Sequence, residues 1–205
     1  ELIRQWSTYH PEFAFLPRKF KVAVNASDST DRAAIQVHDI GIEMVRNDAG
    51  ELGYRVYVGG GLGRTPMVGP VIREFLPELD LLTYLEAVLR VYNRYGRRDN
   101  KFKARIKILV KAMTPAGFAE KVEAEWAYIK DSPTRLTREE IDRVKTFFTE
   151  PDYQSLENEP SALVSARGES KAFDNWVKRN VDSHKQPGYS IVTLTLKKTG
   201  VPPGD

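Results

Sequence analysis

The strongest constraint on the fold of this chain is a pair of β-type segments joined by a tight turn. Residues 34–46 are mostly apolar or β-branched, residues 47–50 are Asn-Asp-Ala-Gly, and residues 53–58 then place apolar side chains at alternate positions. Two apolar runs separated by turn residues are typical of a β-hairpin. A further strand is predicted earlier in the chain, at residues 19–25, where Lys-Phe-Lys-Val-Ala-Val-Asn has strand composition.

Helical patterns follow the hairpin. From Asp80, leucines and tyrosines recur at helical spacing until Gly96, which predicts a long helix that ends at this glycine. A second helix is predicted over residues 100–112. A third is predicted to start at Thr114, with proline in its first turn, and a fourth at Thr137, where Glu140 completes a capping box.

Two lysines stand at the start of the first predicted strand. Successive side chains of a strand point to opposite faces, so Lys19 and Lys21 share one face while Phe20 lies on the other. Two neighbouring ammonium groups repel each other unless they share an anion. The pair is therefore a candidate anion site, although alternating lysines also occur on exposed edge strands, where they maintain solubility.

A glycine-rich segment, Val-Gly-Gly-Gly-Leu-Gly at residues 58–63, ends the hairpin. Its spacing does not fit the G-x-G-x-x-G dinucleotide fingerprint, and it lacks the Lys-Ser/Thr ending of a P-loop. Glycines at a strand end let the backbone approach a ligand closely. The segment therefore indicates either such a ligand or a simple tight turn.

A basic run follows the long helix. On a continuous helix, Lys103 and Lys107 share one face and Arg105 lies roughly opposite. The run favours either a solvated basic face or a cradle for a polyanion, which would be nucleic acid or a polycarboxylate. Its members are Arg94, Arg97, Arg98, Lys101, Lys103, Arg105, Lys107 and Lys111.

Composition narrows the function classes. The 205 residues are 41% hydrophobic and 29% charged, which is typical of a globular protein, and the net charge is only +3. No cysteine is present, so this chain alone binds no iron–sulfur cluster and no thiolate metal site. No apolar run approaches the length of a membrane span, and the first residues do not resemble a signal peptide. These features predict a cytoplasmic protein.

Three segments together resemble the assimilatory nitrite and sulfite reductase haemoproteins. They are Leu-Pro-Arg-Lys-Phe-Lys at residues 16–21, the glycine-rich segment at 58–63, and Lys-Ala-Arg-Ile-Lys at 103–107. The resemblance covers residues 12 to about 126 and continues through residues 173–176 and 189–205, which resemble the start of the family's second ferredoxin-like half. It implies an α+β fold with a mixed or antiparallel sheet and helices.

The resemblance also implies cofactors and roles. Members of this family bind sirohaem coupled to a [4Fe–4S] cluster and reduce sulfite to sulfide or nitrite to ammonia, with electrons from ferredoxin or a flavoprotein. The residues that match substrate-facing positions are Lys19 and Lys21. Those that match sirohaem-contacting positions are Arg18, Gly60, Gly61, Arg105 and Lys107.

The same resemblance implies a domain organisation. Residues 1–15 are expected to be an N-terminal lead-in, 16–148 the first sirohaem-binding domain, 149–170 a linker, and 171–205 the start of the second ferredoxin-like half-domain. The cluster cysteines of the family are absent here, so the fragment is expected to be inactive alone. A nucleic-acid-binding module and a purely structural repeat remain alternatives at this point.

Overall fold

Four strands form a mixed sheet in which each strand lies beside its neighbour in the sequence. The structure is a computed structural model that describes residues 1–26 and 30–194. Strand β1 (Val22–Asn25) pairs in parallel with β2 (Ile40–Arg46), whereas β3 (Leu52–Val58) pairs antiparallel with both β2 and β4 (Val71–Pro77). Together with its helices, this sheet confirms the predicted α+β class.

The predicted hairpin is confirmed by β2 and β3. Ile42 lies opposite Val56 in the ladder. In the turn, the Asn47 side chain accepts hydrogen bonds from the amides of Ala49 and Glu51 at 3.1 and 2.8 Å. The predicted first segment is too long, because its early residues form a short 3-10 turn, Ile35–Val37, before β2 begins.

Each helix predicted from the sequence has a counterpart in the structure, although the second begins later than predicted. The long helix is confirmed, and the amide of Gly96 donates to the Tyr92 carbonyl at its end, at 2.8 Å. The described residues form α1 (Leu2–Thr8), α2 (Leu81–Tyr95), α3 (Ile106–Met113), α4 (Pro115–Ile129), α5 (Arg138–Lys145), α6 (Ser161–Glu169) and α7 (Lys171–Asn180).

The predicted N-caps of α4 and α5 are also confirmed. The Thr114 hydroxyl accepts from the Gly117 amide at 3.2 Å, and the Thr137 hydroxyl accepts from the Glu140 amide at 3.2 Å. Each hydroxyl satisfies one of the amides that a helix leaves unpaired in its first turn. These two caps fix the start of α4 and α5 locally.

The second predicted helix is wrong in its first part. Residues Lys101–Lys103 form a 3-10 turn in which the Asn100 side chain accepts from the Phe102 amide at 2.9 Å. Arg105 is extended, with φ −68° and ψ 148°, and α3 begins only after it. Lys103 and Lys107 therefore do not share a helical face, and Arg105 does not lie opposite them on a helix.

The core lies between the sheet and α2. Side chains on one face of β2 and β3 form a single apolar cluster with α2 and α4. The cluster includes the fully buried Ile40, Ile42, Val56, Val58, Tyr84, Leu85, Val88 and Phe118. Burying each large apolar side chain contributes about 1.5–3 kcal/mol. The sheet edge that carries β1 is held in place by this core.

The residues from Thr149 onward belong to a second compact unit, separate from Glu1–Phe148. It contains α6, α7 and a small antiparallel hairpin of β5 (Val181–Ser183) and β6 (Ser190–Val192). The strand predicted at residues 189–196 is shorter than expected at both ends, because β6 spans only Ser190–Val192 and residues 193–194 are not in a strand. Its last two residues, and the rest of the chain to residue 205, lie outside the described residues.

Two observations bear on the ends of the first unit. Leu2, Ile3 and Trp6 of α1 pack against the main core, so the lead-in segment is part of this unit. Helix α6 lies inside residues 149–170, where a linker is predicted. The assignment of these segments to family domains stays a prediction.

In residues 1–26 and 30–194, no helix has both the length and the apolar character needed to cross a bilayer.

We expect Leu85→Ala to lower the free energy of unfolding by about 2–5 kcal/mol, because it leaves a cavity between α2 and the sheet. Leu62→Ala is the matched control, since Leu62 is 65% exposed whereas Leu85 is fully buried. Surface changes of this kind stay within about 0.5 kcal/mol. Urea denaturation followed by tryptophan fluorescence measures both. Equal effects of the two substitutions would contradict this core assignment.

Candidate functional site

Lys19 and Lys21 are exposed on either side of half-buried Phe20, just before β1. Phe20 packs against the core. The strand ladder begins at Val22, later than predicted, although the Lys21 carbonyl already accepts from the Ile40 amide at 3.1 Å. In the part of the chain that the structure describes, neither ammonium group has an ion pair or hydrogen bond. Both positive charges are thus available to an external anion.

Asp39 connects Lys21 to Arg105. Its side chain is 0% exposed. One carboxylate oxygen, Oδ2, accepts from the Lys21 amide at 3.0 Å and from Arg105 Nη2 at 2.8 Å, while Oδ1 accepts from Arg105 Nε at 2.8 Å. Such bidentate, charge-assisted hydrogen bonds are strong and directional. They fix Arg105 against the start of β1.

The backbone of Asp39 reaches the glycine-rich segment as well. Its carbonyl accepts from the Gly59 amide at 2.9 Å, and Gly59 has φ 98°, a conformation that strongly favours glycine. A Cβ at Gly60 would collide with the carbonyl oxygens of Gln36 and His38. The chain's own packing thus requires glycine at position 60. The predicted contact of Gly60 with a cofactor stays a prediction.

Gly61 faces two cationic side chains. A Cβ there would lie 3.1 Å from Cδ of Lys107 and 3.5 Å from Nη2 of Arg105. A Cβ would therefore displace the Lys107 side chain slightly, whereas its distance to Arg105 would be an ordinary contact. Position 61 keeps the backbone close to the two cations, so the structure brings Gly61, Arg105 and Lys107 together; their contact with a cofactor stays a prediction.

Lys107 is a buried cation, only 7% exposed. Its ammonium donates to the carbonyls of Thr65 and Leu62 at 2.5 and 3.3 Å. No carboxylate in residues 1–26 or 30–194 lies within ion-pair distance of it. An ammonium has three donors, so one N–H remains, and a buried charge without a counter-charge is unfavourable. This position is suited to an anionic ligand group.

Arg18 and Tyr92 connect the first motif to the third. Arg18 Nη1 donates to the Lys101 carbonyl at 2.6 Å. The Tyr92 hydroxyl donates to the Ala104 carbonyl at 2.7 Å and lies 3.2 Å from the Arg18 carbonyl. Burial raises the pKa of Tyr92 to about 12. Arg18 and Lys19 also line a surface pocket of about 320 Å³.

The rest of the basic run does not form one exposed face. Arg94 pairs with Glu125, and Arg97 pairs with Asp99. Arg105 and Lys107 point inward, to Asp39 and to backbone carbonyls. The interpretation of the whole run as a solvated face is wrong for these two residues. They are also poorly placed to contact the phosphates of a nucleic acid.

Sequence patterns do not single out Asp39 or Tyr92 as site residues. Asp39 is a single acidic residue before a strand, and Tyr92 fits the apolar stripe of α2, so neither carries a distinctive pattern. Their roles arise from contacts with residues far away in the sequence.

Over the described ranges, no group of three or more histidine, aspartate or glutamate side chains could hold a metal ion.

A family profile matches most of the first unit. Residues 1–130 match the family described as the nitrite and sulphite reductase 4Fe-4S domain. This range contains all seven predicted site residues.

Individual relatives agree. A sulfite reductase [ferredoxin] of Synechococcus elongatus is 38% identical over 119 residues, covering 54% of this chain and 19% of the relative. The sulfite reductase [NADPH] subunit beta of Saccharomyces cerevisiae is 32% identical over 121 residues, covering 55% of this chain and 8% of the relative. The solved structure of the Mycobacterium tuberculosis NirA protein superposes with a TM-score of 0.56 at 31% identity, covering 62% of this chain and 22% of that one.

We expect Tyr92→Phe to destabilise this chain by about 1–3 kcal/mol at neutral pH, because the buried Ala104 carbonyl loses its donor. The pKa of Tyr92 is about 12 in the folded state and 10.0 for an ordinary tyrosine. The folded state thus binds the Tyr92 proton more tightly than the unfolded state, and the free energy of unfolding of the wild type falls as pH rises from 10 to 12. Tyr92→Phe has no such proton, so the difference in free energy of unfolding between wild type and variant narrows by about 2–3 kcal/mol over that range.

Urea denaturation at pH 8, 10 and 11.5 measures this difference. Tyr128→Phe is the control, since Tyr128 is 86% exposed. A difference that does not change with pH would contradict the buried position of the Tyr92 hydroxyl.

Proposed function

Because this chain belongs to the nitrite and sulphite reductase 4Fe-4S domain family, we propose that it forms part of the active site of a sirohaem-dependent reductase. In this proposal Lys19 and Lys21 bind the oxyanion substrate. The observation that carries it is the convergence of the three sequence motifs on Asp39, together with the approach of Arg105 and Lys107 to Gly61.

The activity is proposed for a longer enzyme. The chain spans about a fifth of the Synechococcus relative, 19% of its length. It contains no cysteine and so cannot bind a [4Fe–4S] cluster by itself. We therefore expect this chain alone to be inactive, with the cluster and the electron donor, ferredoxin or a flavoprotein, belonging to the complete reductase.

The residues present fit the carboxylates of sirohaem. Arg105 uses Nε and Nη2 for Asp39, so its Nη1 group is left for a ligand. Lys107 has an unused N–H and no carboxylate partner in the described residues. With Arg18 and the backbone at Gly60 and Gly61, these cations would hold the macrocycle. When bound, sirohaem supplies the iron at which the oxyanion is reduced.

The two exposed lysines act on the substrate in this proposal. Their charges attract the anion and offset the charge that develops on its oxygens. A lysine ammonium is also a proton donor, and each oxygen that leaves as water needs protons. Both roles require ammonium groups without competing carboxylate partners. Among the described residues, Lys19 and Lys21 have no such partner.

Sulfite is the substrate that we propose, with nitrite as the competing candidate. Sulfite carries up to two negative charges and nitrite one, so a pair of ammonium groups matches sulfite better. The names of the Synechococcus and Saccharomyces relatives support the same choice. Comparing kcat/KM for sulfite and nitrite in the complete reductase tests it, and a higher value for nitrite would overturn it.

We expect Lys19→Ala and Lys21→Ala to lower kcat/KM for sulfite by about 10²–10⁴-fold in the cofactor-loaded reductase that contains this chain. Sirohaem content, measured from its absorbance per protein, stays unchanged because neither lysine is assigned to the macrocycle. Lys130→Ala, another exposed lysine, is the control. Full activity of the Lys19 and Lys21 variants would show that the lysines do not serve the substrate.

A further inference from the structure

We infer that Asp39 is a positioning residue. It holds the substrate lysines and the cofactor-binding cations in fixed positions relative to one another, without touching the substrate. The inference rests on the function proposed above, because it assigns a role within that site. Asp39 belongs to none of the three motifs, yet it makes a hydrogen bond to each of them.

The first attachment fixes the backbone of Lys21. Its amide donates to the Asp39 carboxylate at 3.0 Å, and its carbonyl accepts from the Ile40 amide at 3.1 Å. Residue 21 is therefore held at both its amide and its carbonyl, although it precedes the first residue of β1. The ammonium group extends into solvent from this fixed base, so the position of Lys21 depends on a buried carboxylate.

The second attachment selects one edge of Arg105. The side chain of Asp39 is fully buried and that of Arg105 is 18% exposed. The carboxylate occupies Nε and Nη2 of the guanidinium. Since the guanidinium is rigid and planar, this also fixes the direction in which Nη1 points. Asp39 thus orients the donor that Arg105 offers to a ligand.

The third attachment joins the backbone of Asp39 to the glycine-rich segment. Its carbonyl accepts from the Gly59 amide, two residues before Gly61. Gly61 in turn faces Arg105 and Lys107. A displacement of Asp39 would therefore shift the lysine segment, the arginine and the glycine segment together. A misplacement of about 1 Å at a site of this kind can reduce activity by about 100-fold.

The amide of Lys21 gives a direct readout of the first attachment. In this chain labelled with ¹⁵N-lysine, we expect hydrogen exchange at the Lys21 amide to be at least about 100-fold slower than at the Lys19 amide, since a buried carboxylate accepts the Lys21 proton. Similar exchange rates at the two amides would overturn the inference. This measurement needs neither cofactor nor activity, so it stands even if the proposed function fails.

Two variants separate positioning from simple stabilisation in the cofactor-loaded reductase. Asp39→Asn places an amide donor against the donors of Lys21 and Arg105. We expect it to raise KM for sulfite about tenfold or more in the sirohaem-loaded enzyme. We also expect the variant to release sirohaem faster. Arg105→Gln leaves the hydrogen bond from the Lys21 amide to Asp39 intact. We therefore expect faster sirohaem release without that rise in KM.

Asp142→Asn is the matched control, because Asp142 is exposed and pairs only with Lys145 among the described residues. An Asp39→Asn enzyme with wild-type KM and wild-type sirohaem retention would overturn the inference. If Asp39→Asn does not fold, the comparison of hydrogen exchange at the Lys21 and Lys19 amides of the unsubstituted chain decides whether the inference holds. Activity retained by Lys19→Ala and Lys21→Ala would count against the proposed function, whereas it leaves the Lys21 exchange result unaffected.

Discussion

The buried carboxylate of Asp39 is the group on which the geometry of this site depends. Its pair with Arg105 crosses from the residue before β2 to the residue before α3, and the same carboxylate also accepts a hydrogen bond from the Lys21 amide. Neither partner lies inside a helix or strand, so regular secondary structure does not fix them. A buried carboxylate is stable only when its hydrogen bonds are satisfied, and here three N–H groups satisfy it. The surrounding core supplies the dry environment that makes these bonds strong.

Charge balance explains why the site is suited to an anion. Asp39 neutralises Arg105, whereas Lys107 is buried against carbonyl oxygens without a carboxylate in the described ranges. Lys19 and Lys21 add two exposed charges at the start of β1. These three lysines therefore carry positive charge without a carboxylate partner among the described residues. A polycarboxylate macrocycle and a small oxyanion are ligands that would offset this charge, in keeping with the family to which the chain belongs.

Sequence patterns predicted those features that local chemistry determines. The hairpin turn at Asn47, the cap at Thr114 and the end of α2 depend on residues within a few positions, and each is confirmed. The continuous helix over residues 100–112 was wrong because a distant carboxylate keeps Arg105 extended, which helix propensity does not reveal. Likewise the motifs suggested that the cations belong to one site, but their connection through Asp39 needed the three-dimensional structure.

The decisive measurement is a crystal structure of the complete reductase with sirohaem and a bound oxyanion. We expect the anion to contact the ammonium groups of Lys19 and Lys21, sirohaem carboxylates to contact Arg105 and Lys107, and Arg105 to remain paired with Asp39. A structure in which the anion lies away from both lysines, or in which Arg105 leaves Asp39 to bind the macrocycle, would contradict this expectation.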